Sequence, residues 1–167
     1  MAKILAISGS LQTRSSNSAL IQLAHQLAGA DVEVFDGLAD LPYFNPELDV
    51  DPPPTSVARL RQRVADADGL LIASPEYAHG MPGVLKNALD WLVSSGELYG
   101  KRVAVLCAAP SVERGAYARQ WLEQTLGAQG AVVVTSATVA VAPRSSVDAQ
   151  PEVARAVGAA LAALVPG

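Results

Sequence analysis

The chain has 167 residues, half of them apolar and 17% charged, which fits a single domain over residues 1–167 with a sizeable core and argues against disorder. Its formal net charge of -4 offers no basic patch for nucleic acid and is too mild for a strongly acidic electron carrier. The single cysteine, Cys107, excludes an internal disulfide and a cysteine-based zinc site and fits a reducing, cytoplasmic setting. The early apolar run Ile4–Ile7 is too short for a signal-peptide core, and no later run is long enough for a membrane span.

Lys3–Ser8 is a continuous apolar run closed by a turn signal, the pattern of a strand buried on both faces. Ser15–Leu27 follows as a helix with Leu20, Ile21, Leu23, Ala24 and Leu27 in one stripe. Ser15, Ser16 and Asn17 offer capping side chains at its start, and Gly29 ends it. Asp31–Phe35 alternates and reads as a short, more peripheral strand. Asp36–Pro54 carries Pro42, Pro46 and the Pro52–Pro54 triplet, so a long connection with little regular structure is expected. Thr55 is expected to cap a helix running to Ala67. Gly69–Ser74 is a second fully buried strand, and Pro82–Val93 is an amphipathic helix with Leu85, Leu89 and Leu92 on one face. Arg102–Ala108, a helix over Ala116–Leu126, a strand over Val132–Thr138 and a terminal helix Pro151–Leu164 complete the chain.

Strictly alternating strands and helices, with strands this apolar, predict a parallel sheet covered on both sides. Five strands at this length point to a flavodoxin-like three-layer α/β/α sandwich with order 2-1-3-4-5. In that order strands 1 and 3 are neighbours and the chain winds away from them in opposite directions. The loops after them, Ser8–Asn17 and Ser74–Trp91, therefore meet at the carboxyl edge of the sheet.

The first loop, SGSLQTRSSN, supplies hydroxyls, an Asn amide, Gly9 for close backbone approach and Arg14 for charge, all leading into a helix N-terminus. Such an end attracts phosphate, although the same residues also make a well-capped helix after an ordinary turn. The second loop, SPEYAHGMPG, offers backbone donors and acceptors with Tyr77 as a wall, suited to the edge of a flat heterocycle. On spacing alone, a proline-fixed turn with Tyr77 packed on the domain is the stronger reading.

The stretches Gly9-Ser10-Leu11 with Ser15 and Asn17, and Pro75-Glu76-Tyr77 with Pro82-Gly83-Val84-Leu85-Lys86-Asn87-Ala88-Leu89-Asp90-Trp91, resemble the NADPH-dependent FMN reductase family. That family includes flavin-containing quinone, azo and chromate reductases. The resemblance implies FMN as cofactor and NADPH or NADH as electron donor. It also implies a small-molecule acceptor such as a quinone, flavin, azo compound or metal oxyanion, and a homodimer or homotetramer. By resemblance, Ser10, Ser15, Ser16 and Asn17 hold the FMN phosphate, while Pro75, Glu76, Tyr77, Ala78 and Gly80 lie against the ring. Gln12 stands where the family commonly has Arg, with Arg14 nearby. Ala78 and Gly80 replace Asn and Ser, and the loop after the fourth strand keeps Ser111 as a flavin contact. The cofactor carries the chemistry, so no acid–base residue is assigned. A flavodoxin-type electron carrier, or a binding protein of this fold without reductase activity, is the alternative.

His79 reads as a solvent-exposed rim residue and His25 as surface. Two histidines and one cysteine without ligand spacing predict no metal site. Cys107 reads as a small core residue and not a nucleophile. Trp91 and Trp121 read as core or subunit interface. Lys86, Asn87 and Asp90 read as a solvated helix face, which the resemblance places near a dimer contact.

Overall fold

A computed structural model describes residues 2–28, 31–141, 147 and 150–165. Its five parallel strands are β1 (Ile4–Ser8), β2 (Val32–Phe35), β3 (Gly69–Ala73), β4 (Arg102–Ala109) and β5 (Val132–Ala140), in the order β2-β1-β3-β4-β5. The helices are α1 (Ser16–Ala28), α2 (Thr55–Asp66), α3 (Gly83–Asp90), α4 (Ala116–Ala128) and α5 (Pro151–Leu164). Gly29, expected to end the first helix, lies outside the described residues.

Side chains alternate across the strands and so divide the core in two. Leu5, Ile7, Leu70, Ile72, Val103 and Val105 point to the face covered by α2, α3 and α4. Ile4, Ala6, Leu71, Ala73, Ala104 and Leu106 point to the face covered by α1 and α5. Burial on both faces is why these strands read as unbroken apolar runs.

Several local details differ from expectation. Thr55 is the first helical residue of α2 and gives no side-chain cap; Pro54 occupies the capping position. Helix α3 ends at Asp90: Trp91 N–H still donates to the Asn87 carbonyl, but Leu92 and Val93 donate three residues back, to Leu89 and Asp90, and the chain continues in turns. The long connection after β2 contains two short 3-10 turns, Leu38–Asp40 and Pro46–Leu48.

That connection is fastened to α3. The Pro42 carbonyl accepts from Asn87 Nδ2 and from Trp91 Nε1, each at 2.9 Å, and Phe44 N–H donates to Asn87 Oδ1 at 2.7 Å. Asn87 is therefore a clasp and not part of a solvated face. The Trp91 ring is fully buried, edge-on to Phe44. Arg61 adds a second fastening, donating to the Trp91 carbonyl, to Asp49 and to Ser94. No helix among the described residues is long and apolar enough to cross a membrane.

Candidate functional site: the crevice between β1 and β3

The two loops meet as the strand order requires. Gly9 N–H extends the ladder by donating to the Ala73 carbonyl at 2.8 Å, and a Cβ on Gly9 would stand 3.2 Å from Leu85 and 3.3 Å from Ser74 Oγ. A larger residue at position 9 would press Leu85 and Ser74 aside by a few tenths of an ångström, so glycine suits this close approach of the two loops.

Serines shape the first loop. Ser8 Oγ lies 2.8 Å from Ser18 Oγ and accepts from Ser10 N–H, while Ser10 Oγ accepts from Gln12 N–H. Ser15 Oγ accepts from Ser18 N–H at 3.3 Å, capping α1. The N–H groups of Thr13, Arg14, Ser16 and Asn17 then have no partner among the described residues. Gln12, Arg14 and Ser16 are exposed, and Arg14 forms no ion pair among the described residues. A cavity of about 610 Å³ runs from this loop along the flank of α1, lined by Arg14, Ser15 and Ser16 and then by Gln22, Gln26 and Val147, and no residue of the second loop borders it.

Asn17 is buried, and its Oδ1 accepts from Ala108 N–H of β4 at 2.9 Å. That bond ties α1 to the sheet and assigns the amide: the oxygen serves the backbone, leaving Nδ2 as the donor end.

The second loop forms a miniature hairpin. Tyr77 and Gly80 exchange both backbone bonds at 2.9 Å, and Ala78 and His79 between them have φ of 49° and 62°. Two consecutive left-handed residues are the signature of a type I′ turn, which favours Asn-Gly. Here the strained pair is Ala-His, and such strain persists only where the surroundings impose it. The backbone of Tyr77 and Gly80 is thus satisfied internally. The N–H groups of Glu76, Ala78 and His79 have no partner among the described residues.

Helix α4 holds the hairpin from the side. Its start, Gly115, offers no side-chain cap, and Glu76 Oε2 supplies one by accepting from Ala118 N–H at 3.1 Å. A carboxylate at a helix N-terminus also meets the positive end of the helix dipole. So the Glu76 side chain serves α4, while its backbone remains with the crevice. His79, exposed as expected, stacks on Tyr117. Tyr117 and Trp121 were missed as neighbours of the loop. Their four-residue spacing, off the Ala118-Leu122-Leu126 stripe, was the available signal.

On the loop after β4, Ser111 is half-buried, and its hydroxyl holds the exposed Glu113 carboxyl below the ordinary value. Cys107 is buried beneath this loop. Desolvation pushes its thiol up to about 11, with Arg119 opposing and Glu76 adding to the rise. It is a core residue, as read from the sequence. His25 is exposed, with Nδ1 on the Val32 carbonyl at 2.7 Å.

The residues present fit a phosphorylated flat heterocycle. One loop offers unpaired N–H groups, hydroxyls and a free guanidinium at a helix start; the other offers unpaired N–H groups on a rigid edge. This places the chain among the flavodoxin-like α/β/α proteins that bind ligands where the strand order reverses. Residues 2–145 match the family model described as NADPH-dependent FMN reductase, and the chain belongs to that family. It is 41% identical over 128 residues to an NAD(P)H-dependent FMN reductase of Pseudomonas aeruginosa, an alignment covering 74% of this chain and 69% of that protein. It is 32% identical over 129 residues to a quinone reductase of Escherichia coli K12, with the same two coverages of 74% and 69%. Among solved structures, a flavoenzyme NAD(P)H:(acceptor) oxidoreductase from Paracoccus denitrificans superimposes with a TM-score of 0.77 at 27% identity, covering 98% of this chain and 97% of that one. The chain is accordingly an oxidoreductase that uses FMN and NAD(P)H.

Proposed function

We propose that this enzyme passes reducing equivalents from NAD(P)H to a quinone, with its FMN lying in the β1–β3 crevice. The observation that carries the reading is the pairing of two touching loops, each with N–H groups that no other described residue engages. Bound FMN supplies a two-electron relay between donor and acceptor. The protein's work is binding and orientation. Thr13, Arg14, Ser16 and Asn17 give N–H donors to the phosphate, joined by the Asn17 amide and the Ser15 and Ser16 hydroxyls. Glu76, Ala78 and His79 present backbone donors to the ring edge, with Pro75, Tyr77 and Gly80 shaping the wall. Ser10 fixes the loop through Gln12 N–H, and Ser111 borders the crevice from the β4 side. The quinone rests on the E. coli relative's name, as one member of the wider acceptor class.

A homo-oligomer belongs to the same reading. The family resemblance places the contact on α3, at the face that carries the Lys86–Asp90 pair.

Titrating FMN into the apoprotein is the direct test. Quenching of FMN fluorescence with micromolar affinity is expected, followed by bleaching of the flavin band on anaerobic addition of NADPH or NADH. No quenching at micromolar protein would sink the crevice assignment. Bound flavin without quinone turnover would favour an electron carrier.

A further inference from the structure

Helix α4 turns two large rings outward beside the Tyr77–Gly80 hairpin. Tyr117 and Trp121 are four residues apart, on one side of the helix, and are 56% and 54% exposed. Both touch the hairpin. The Tyr117 ring stacks on His79 with centroids 4.6 Å apart and planes 24° from parallel. The Trp121 indole closes on Gly80, where a Cβ would stand only 3.1 Å away. Tyr77, 53% exposed, adds a third ring. The core contact of α4 comes from Ala118, Leu122 and Leu126, so the two outer rings are not needed to seat the helix. The Glu76–Ala118 bond fixes the helix start against the hairpin. The result is a rigid aromatic ledge continuous with the backbone edge assigned to the flavin ring.

We infer that this ledge selects the acceptor: a planar quinone is held against Trp121 and Tyr117 through its π face. The inference rests on the crevice as the flavin site. In the overall reaction the quinone gains two electrons and two protons and leaves as hydroquinone. NAD(P)H supplies the hydride equivalent and solvent the second proton, so the ledge contributes binding alone. Aromatic stacking of this kind is worth roughly three- to tenfold in affinity per ring. An acceptor without a π face, such as ferricyanide, gains nothing from it.

The test uses the FMN-loaded enzyme with 1,4-naphthoquinone and ferricyanide. Tyr117→Ala and Trp121→Ala should each raise KM for the quinone about three- to tenfold. FMN affinity and the ferricyanide KM should stay within about twofold, and Trp121→Phe should keep the low quinone KM. A second readout needs no turnover. Trp91 is fully buried and Trp121 half exposed, so accessible tryptophan emission reports the ledge. Without reductant, the quinone should quench that emission saturably, and Tyr117→Ala should move the midpoint to higher quinone concentration. Unchanged quinone KM in both variants and an unchanged midpoint in Tyr117→Ala, with FMN still bound, would overturn the ledge. So would equal KM rises for both acceptors with an altered elution volume, the mark of a contact between copies. Failure of the unmodified protein to bind FMN appears before any quinone is added, and removes the crevice reading itself.

Discussion

At the scale of single residues, Asn17 does two jobs with opposite ends of one amide. Its oxygen accepts from Ala108 N–H and pins α1 to β4, and its nitrogen is the end left for an anion. Asn17→Asp preserves the shape and the acceptor toward Ala108 but replaces the donor with negative charge. FMN affinity should fall at least about tenfold, with riboflavin affinity changed less than about twofold. Equal losses for both ligands would show that the phosphate lies elsewhere. Gly115 illustrates a different constraint. Its φ is +83°, and a Cβ there would overlap Cys107 Sγ. Gly115→Ala should cost roughly 2–4 kcal/mol, combining left-handed strain with overpacking. Chemical denaturation can apportion the loss. Adding Cys107→Ala should recover the overlap but not the strain, and full recovery would show that φ is not limiting.

At the scale of elements, the hairpin between β3 and α3 is where local sequence and structure part company. A type I′ turn is announced by Asn-Gly, and Ala78-His79 carries no such signal. The turn is imposed by Glu76 on the α4 start, His79 on Tyr117 and Trp121 over Gly80, contacts spanning about forty residues of chain. The same reason hid the Asn87 clasp, because a polar residue between Lys86 and Ala88 on an amphipathic helix looks solvated until Pro42 and Phe44 are folded over it. The strands were legible because each needs only its own composition to be recognised. With Ala78 at a φ of 49°, Ala78→Gly should stabilise the protein by about 0.5–1 kcal/mol, since glycine enters the left-handed region without steric cost. Thermal unfolding of the variant reads this directly. A lower Tm would mean that Ala78 is not strained or that its methyl group packs usefully. His79→Gly is the poorer probe, because it also deletes the Tyr117 stack.

At the scale of the whole molecule, strand order does most of the positioning. Once β1 and β3 are neighbours, their loops must meet, and the location of the proposed site follows from topology before any side chain is considered. What topology leaves open is how a proline-rich connection of this length is kept in place. The answer lies on the far side of α2 and α3, where Arg61 and Asp49, with side chains 16% and 13% exposed, join Ser94 and the Trp91 carbonyl. Hydrogen bonding from Ser94, then Arg61, holds the Asp49 carboxyl below its ordinary value of 3.8. A carboxyl lowered in the folded state stabilises above its unfolded pKa, and that contribution is lost as the pH falls through the lower, folded value. Asp49→Asn should therefore cost about 1.5 kcal/mol at pH 7, lowering Tm by roughly 3–6 °C for a domain of this size. The difference between the two proteins should shrink steadily below pH 3.8. A gap that stays the same at neutral and strongly acid pH would show that the substituted amide disturbs packing, and that the charge on Asp49 is not what fastens the connection.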